Sequence, residues 1–145
     1  MTDAQPPGLI RGPDGRAKAY RPLPATDRAA AVQAGLAAYT AGDFFEAHEL
    51  MEPAWMGSAD VAERALIQGL IKLAAADVHA VRGNPLGVRR NLEGALERLR
   101  SGLVTGSITG VELDVSGLIA AMEGRLVSMD AEGIDRPIHI DWRPR

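Results

Sequence analysis

The sequence has no cysteine. Disulfide frameworks and thiolate metal sites are therefore excluded, and histidine and carboxylate are the only plausible metal ligands. Aromatic residues are scarce, at 4% of the chain. The core must come from Ala, Leu, Ile and Val within a hydrophobic content of 46%, a composition that favours helix. There is no excess of basic residues: the net charge is −3 and the pI near 5.6. A nucleic-acid-coating protein would carry a basic face, so no nucleic-acid partner is expected. Long hydrophobic runs are missing too. The most apolar stretch, "ALIQGLIKLAAADVHAV", is interrupted by Gln68, Lys72, Asp77 and His79, which a membrane span tolerates poorly. The opening "MTDAQPPGLIRGPDGR" has no apolar segment of signal-peptide length. A soluble, cytoplasmic protein without a membrane partner is the expectation. No Gly-rich phosphate loop, Gly-x-Ser-x-Gly elbow or base-stacking aromatic series occurs.

What is present is helical patterning in a chain of one-domain size. The expected fold is all-α: a compact up-and-down bundle of about five helices built from two helical hairpins. Residues 1–25 read as an extended arm, 26–131 as the helical domain and 132–145 as an extended tail. Five of the nine prolines fall within 5–25, where "LIRGPDGRAKAY" carries Pro-Asp-Gly turn chemistry that can close a short hairpin. Asp27 is placed as N-cap of the first helix, which stops at Gly42. The second starts at Asp43, with Glu46 at near capping-box spacing, and ends near Gly57. The third spans about 60–82, the fourth runs from Asn84-Pro85 to about Ser101, and the fifth covers roughly 115–130. Ile138, Ile140 and Trp142 alternate in the tail, as expected of an extended strand on an apolar surface of this chain or a partner.

Gly42-Asp43 and Gly83-Asn84 repeat one signal, a helix stop followed at once by a helix start. Such short loops force antiparallel neighbours. The pattern has a distant analogy to tetratricopeptide hairpins, which makes an assembly or adaptor protein one alternative. The spacing exceeds that repeat's period of about 34 residues, however. Self-association through the terminal arms belongs to the same alternative.

The polar residues concentrate on two helices. In "GDFFEAHELMEPAW", Phe44, Ala47, Met51, Ala54 and Trp55 form an apolar arc, with Phe45, His48, Glu49 and Glu52 on its flank. His48 and Glu52 are one turn apart and can meet. On the third helix Arg64, Gln68, Lys72, Ala75, His79 and Arg82 fall within about 80° of arc, opposite Leu66, Leu70 and Leu73. Asp77 projects with the leucines and so needs a buried partner or a local opening. Side-by-side packing of these two helices would set His48, Glu49 and Glu52 against Gln68, Lys72 and His79.

Such a cleft admits three readings. One is a bracing hydrogen-bond network that also binds a small polar ligand or peptide. Another is a divalent-metal hydrolase with His48, Glu52 and His79 as ligands and Glu49 as general base. The third is a solvated helix edge with no further role. The zincin His-Glu-x-x-His and ferritin-like Glu-x-x-His spacings are both missing, so no cofactor is assigned. Trp55 and Phe45 are expected in the core.

At these residues the sequence resembles family 309 of the domains of unknown function. The likeness rests on Phe45-Glu46-Ala47-His48-Glu49 with Glu52 and Trp55. It continues in Gln68-Gly69-Leu70-Ile71, Leu73-Ala74, His79, and Gly83-Asn84 with Gly87. It covers about residues 36 to 100 and implies a small all-helical protein with no assigned reaction. Lys72 and Asp77 depart from the family pattern, where glutamine and an apolar or aromatic residue are usual. The candidate cluster is thus His48, Glu49, Glu52, Trp55, Gln68 and His79, with Phe45, Lys72 and Asn84 in second rank.

Overall fold

The computed structural model describes residues 8–11, 17–104 and 106–145. Five helices, α1 (Ala25–Thr40), α2 (Phe44–Met56), α3 (Val61–Val81), α4 (Pro85–Leu103) and α5 (Val115–Glu132), form the bundle. Two small antiparallel pairs flank it: β1 (Gly8–Arg11) with β2 (Ala17–Tyr20), and β3 (Val111–Leu113) with β4 (Trp142–Pro144). No described helix is long and apolar enough to cross a membrane.

The two hairpins, α1–α2 and α3–α4, turn as their sequences require. Gly42 and Gly83 adopt φ of 85° and 71°, a left-handed conformation that glycine enters without a Cβ clash. The helix starts differ in detail. Asp60 caps α3 by accepting from Glu63 N, and Asn84 caps α4 by accepting from Gly87 N. Asp43 occupies the cap position of α2 but makes no side-chain cap bond, so the capping box expected with Glu46 does not form. Helix α1 begins at Ala25 behind Pro24, and Asp27 lies in its first turn rather than at the cap. Proline at this boundary supplies a preset φ and lacks only an N–H that a helix start leaves unpaired anyway.

The core forms along α3, where Leu66, Ile67, Leu70, Leu73, Ala74 and Ala76 are buried. Val32, Leu36 and Tyr39 of α1 join it, with Ala47, Met51 and Ala54 of α2 and Leu92, Ala95 and Leu99 of α4. Phe44 meets Tyr39 edge-on at 5.1 Å between ring centroids. Phe45 does not join them. It is 61% exposed, because its position one residue round from Phe44 turns it off the apolar arc.

The described residues next to the bundle at both termini pack on it. β1 and β2 pair in the register Gly8↔Tyr20 to Arg11↔Ala17, as expected for a hairpin; the Pro13-Asp14-Gly15 turn lies outside the described residues. Beyond β2, Arg21 N and Leu23 N donate to Met56 O and Gly57 O. An extended segment is thereby laid along the end of α2. At the other terminus Ile140 is buried, Ile138 and Trp142 pack on the core, and β4 pairs with β3. The strand β3 was not anticipated, since Val111–Leu113 is too short for a periodic signal.

Two buried polar networks tie these parts together. Asp77 is 1% exposed and takes Tyr39 Oη at 2.5 Å and Arg125 Nη2 at 2.7 Å. Arg125 Nη2 also donates to Ile134 O, and Ile138 N donates to Tyr39 Oη. The apolar-face aspartate thus has its partners, from α1 and α5. The second network surrounds Glu63. Its Oε1 accepts from Ser58 Oγ at 2.5 Å and Arg28 Nε at 3.1 Å, and its Oε2 from Thr109 N at 2.8 Å. One carboxylate so joins α1, the α2–α3 loop and the segment after α4.

Candidate functional site

Helix α2 brings His48, Glu49 and Glu52 together on one flank. One potential ligand atom from each residue lies within 4.8 Å of the others. His48 Nδ1 is 3.2 Å from Glu49 Oε2. The helix brings Glu52 one turn from both His48 and Glu49, at i,i+4 and i,i+3. The cluster is open to solvent, with side-chain exposures of 31% for His48 and 57% for Glu49. Phe45 stacks on the His48 ring at 6.5 Å between centroids and 13° between planes.

Beside this flank runs a groove of about 360 Å³ lined by Arg21, Pro22, Leu23, Glu49, Glu52, Pro53 and Met56. Its second wall is the arm segment held by Met56 O and Gly57 O, so the groove lies between α2 and the chain before α1. Pro22 and Pro24 keep that segment extended. Pro53 in the last turn of α2 removes one backbone donor where the arm approaches.

Helix α3 does not supply the opposite wall. Arg98 Nε of α4 donates to Gln68 Oε1 at 3.3 Å. The Lys72 chain lies over Gly94 of α4, with its Cδ 3.1 Å from where a Cβ on Gly94 would stand. His79 Nδ1 is 3.1 Å from Asn84 Nδ2, and its ring lies against Gly87, where a Cβ would collide with it. The polar stripe Gln68–Lys72–His79 therefore runs along α4, over a face kept shallow by Gly87 and Gly94. The helical period placed these residues on one stripe. The neighbour along the stripe is α4, because the short Gly83-Asn84 turn folds α4 back over α3.

The remaining candidates take structural places. Trp55 packs against the core, and Asn84 caps α4. Among the described residues, His48, Glu49 and Glu52 are the one His/Asp/Glu group compact enough to hold a metal ion, and His79 is outside it. One imidazole and two carboxylates suit a borderline divalent cation such as zinc or manganese. The same pair of acids suits an organic cation equally well.

Sequence reasoning missed Arg21–Leu23 as a wall and Glu63 and Tyr39 as network members. Burial pushes the Glu63 carboxyl up, but hydrogen bonds from Ser58 and Thr109 and the Arg28 charge outweigh this and hold it below the usual glutamate range. Burial, and then the Asp77 carboxylate, push the Tyr39 hydroxyl far above its ordinary value, so it stays a donor. Neither group opens onto the groove, and both belong to the scaffold.

The family model Domain of unknown function (DUF309) matches residues 32–91. That span holds most of α1, all of α2 and α3 and the start of α4, and includes His48, Glu49, Glu52, Gln68 and His79. No curated protein and no solved structure matches the chain. Over residues 32–91, less than half of its length, the chain is thus similar to the DUF309 family of domains of unknown function.

Proposed function

We propose that this helical protein is a non-catalytic binding protein whose receptor is the flank of α2. The ligand is a small polar molecule or peptide segment that presents a positively charged group to Glu49 and Glu52. The observation that carries this reading is the convergence of His48, Glu49 and Glu52 beside the groove of about 360 Å³. The groove supplies apolar contact through Leu23, Pro53 and Met56, and the acids supply orientation. Arg21 on the opposite rim would pair with a carboxylate on the same ligand, which favours a zwitterion or a peptide end. No nucleophile with an adjacent base borders the groove among the described residues, so binding without turnover is the simpler reading.

The test is amide chemical-shift mapping with arginine amide, putrescine and a lysine-terminated peptide as probes. Shifts confined to residues 21–23 and 48–56, lost in Glu49→Gln/Glu52→Gln, are expected. Shifts elsewhere, or none with any probe, would overturn the assignment.

A second reading has its own observation, the mutual 4.8 Å spacing of three ligating atoms. In it His48, Glu49 and Glu52 hold a divalent cation, with exchangeable water completing the coordination. Titration with zinc and manganese separates the two. Stoichiometric metal binding lost in His48→Ala, without any response to the amines, would favour this reading over the first.

A further inference from the structure

A second groove, of about 530 Å³, opens at one end of the bundle between the start of α2 and the end of α3. Phe45, Val78 and Val81 line it, Asp43 and Glu46 form one rim, and Arg82 forms the other. Phe45 is 61% and Val81 70% exposed. Single exposed apolar residues are ordinary, but two large ones bordering a single groove mark a surface that gains by being covered. Among the described residues no side-chain ion pair involves Asp43, Glu46 or Arg82. Each charge suits its own helix end: the acids sit at the N-terminus of α2 and the arginine at the C-terminus of α3. That accounts for where the charges stand, but not for the apolar surface between them.

Opposite charges on opposite rims of an apolar groove let a face pair with a copy of itself. About a two-fold axis, Arg82 of one protomer meets Asp43 and Glu46 of its partner, and the reverse contact forms by symmetry. Phe45 and Val81 of both copies then close the centre, with the charges at the rim. We propose that this end of the bundle is the interface through which two copies of the chain associate. None of the residues that border this face belongs to a terminal arm. The proposal does not rest on the ligand groove, although Phe45, which borders this face, also stacks on His48.

Sedimentation equilibrium of the full chain over a concentration series tests it. The wild type is expected to dimerise. Arg82→Glu and Glu46→Arg should each weaken the dimer by at least about tenfold, since each sets like charges face to face. The double variant should recover most of the loss, and Val81→Glu should give a monomer. All three positions are at the surface, and helical circular dichroism checks that each variant folds. A wild type that stays monomeric into the millimolar range overturns the proposal. So does a dimer indifferent to Arg82→Glu, or a charge-swapped double variant that fails to recover.

Discussion

Tyr39 donates its hydroxyl hydrogen to Asp77 Oδ2 at 2.5 Å, and the Tyr39 hydroxyl oxygen accepts from Ile138 N at 3.1 Å. One phenol thus satisfies a buried carboxylate on α3 and a backbone amide of the C-terminal segment. Tyr39→Phe keeps the ring against Phe44 but leaves Asp77 Oδ2 and Ile138 N without this partner, Asp77 retaining only Arg125. A loss of about 2 kcal/mol is expected, the range for a buried group deprived of its partner. Urea unfolding measures it, and hydrogen exchange at residues 134–140 should quicken with it. Unchanged exchange there would show that the segment does not depend on this bond.

Asp77 and Arg125 should behave non-additively. Asp77→Ala leaves a guanidinium 4% exposed without its counter-charge, and breaking a buried pair from one side costs about 3–5 kcal/mol. Replacing both, as Asp77→Leu with Arg125→Met, removes the two desolvated charges together. That double variant is expected to lie within about 2 kcal/mol of the wild type or above it. A double-mutant cycle checks this, and additive losses would refute the coupling.

Glu63 makes stability depend on pH. Its folded pKa is held below the unfolded value. The carboxylate therefore contributes full stability above the ordinary glutamate range, and that contribution is lost as pH falls through the depressed folded value. Glu63→Gln should be less stable than the wild type at neutral pH by about 1–3 kcal/mol. The gap should narrow as acid protonates the native carboxyl. Parallel pH–stability curves would count against the assignment.

His48→Ala/Glu49→Ala should leave stability within about 0.5 kcal/mol, because the pair is exposed and surface ion pairs contribute little. The same variant should lose binding of the amine probes. A melting temperature that falls by several degrees would return the cluster to a bracing role.

The elements were legible in the sequence wherever a local rule decided them. Gly42 and Gly83 had to end helices because each stands where the chain needs φ above zero, and Asn84-Pro85 had to begin one. Ile138 and Ile140 announced an extended tail by alternation. Asp77 announced that it needed a partner by sitting among leucines. The identity of that partner was not legible, because Tyr39 and Arg125 lie 38 and 48 positions away and no periodicity links them. The neighbour of the α3 polar stripe was hidden in the same way. Helical phase placed Gln68 and His79 on one stripe, but only tertiary packing decides which neighbour covers a stripe. Glu63 was hidden for another reason: an acid in the first turn of a helix already has a sufficient local explanation.

The buried aspartate also has a consequence for synthesis. As the chain leaves the ribosome, α1, α2 and α3 emerge with Tyr39 and Asp77 in hand, but Arg125 follows Asp77 by 48 residues. At about 5–20 residues per second, that is a wait of several seconds. During it Asp77 has no cation to meet, and burying it charged would be costly. Until then, closing this face of α3 would leave the carboxylate without its counter-charge. The last helix thus brings the counter-charge that lets this face close, so docking of α5 is expected late in folding.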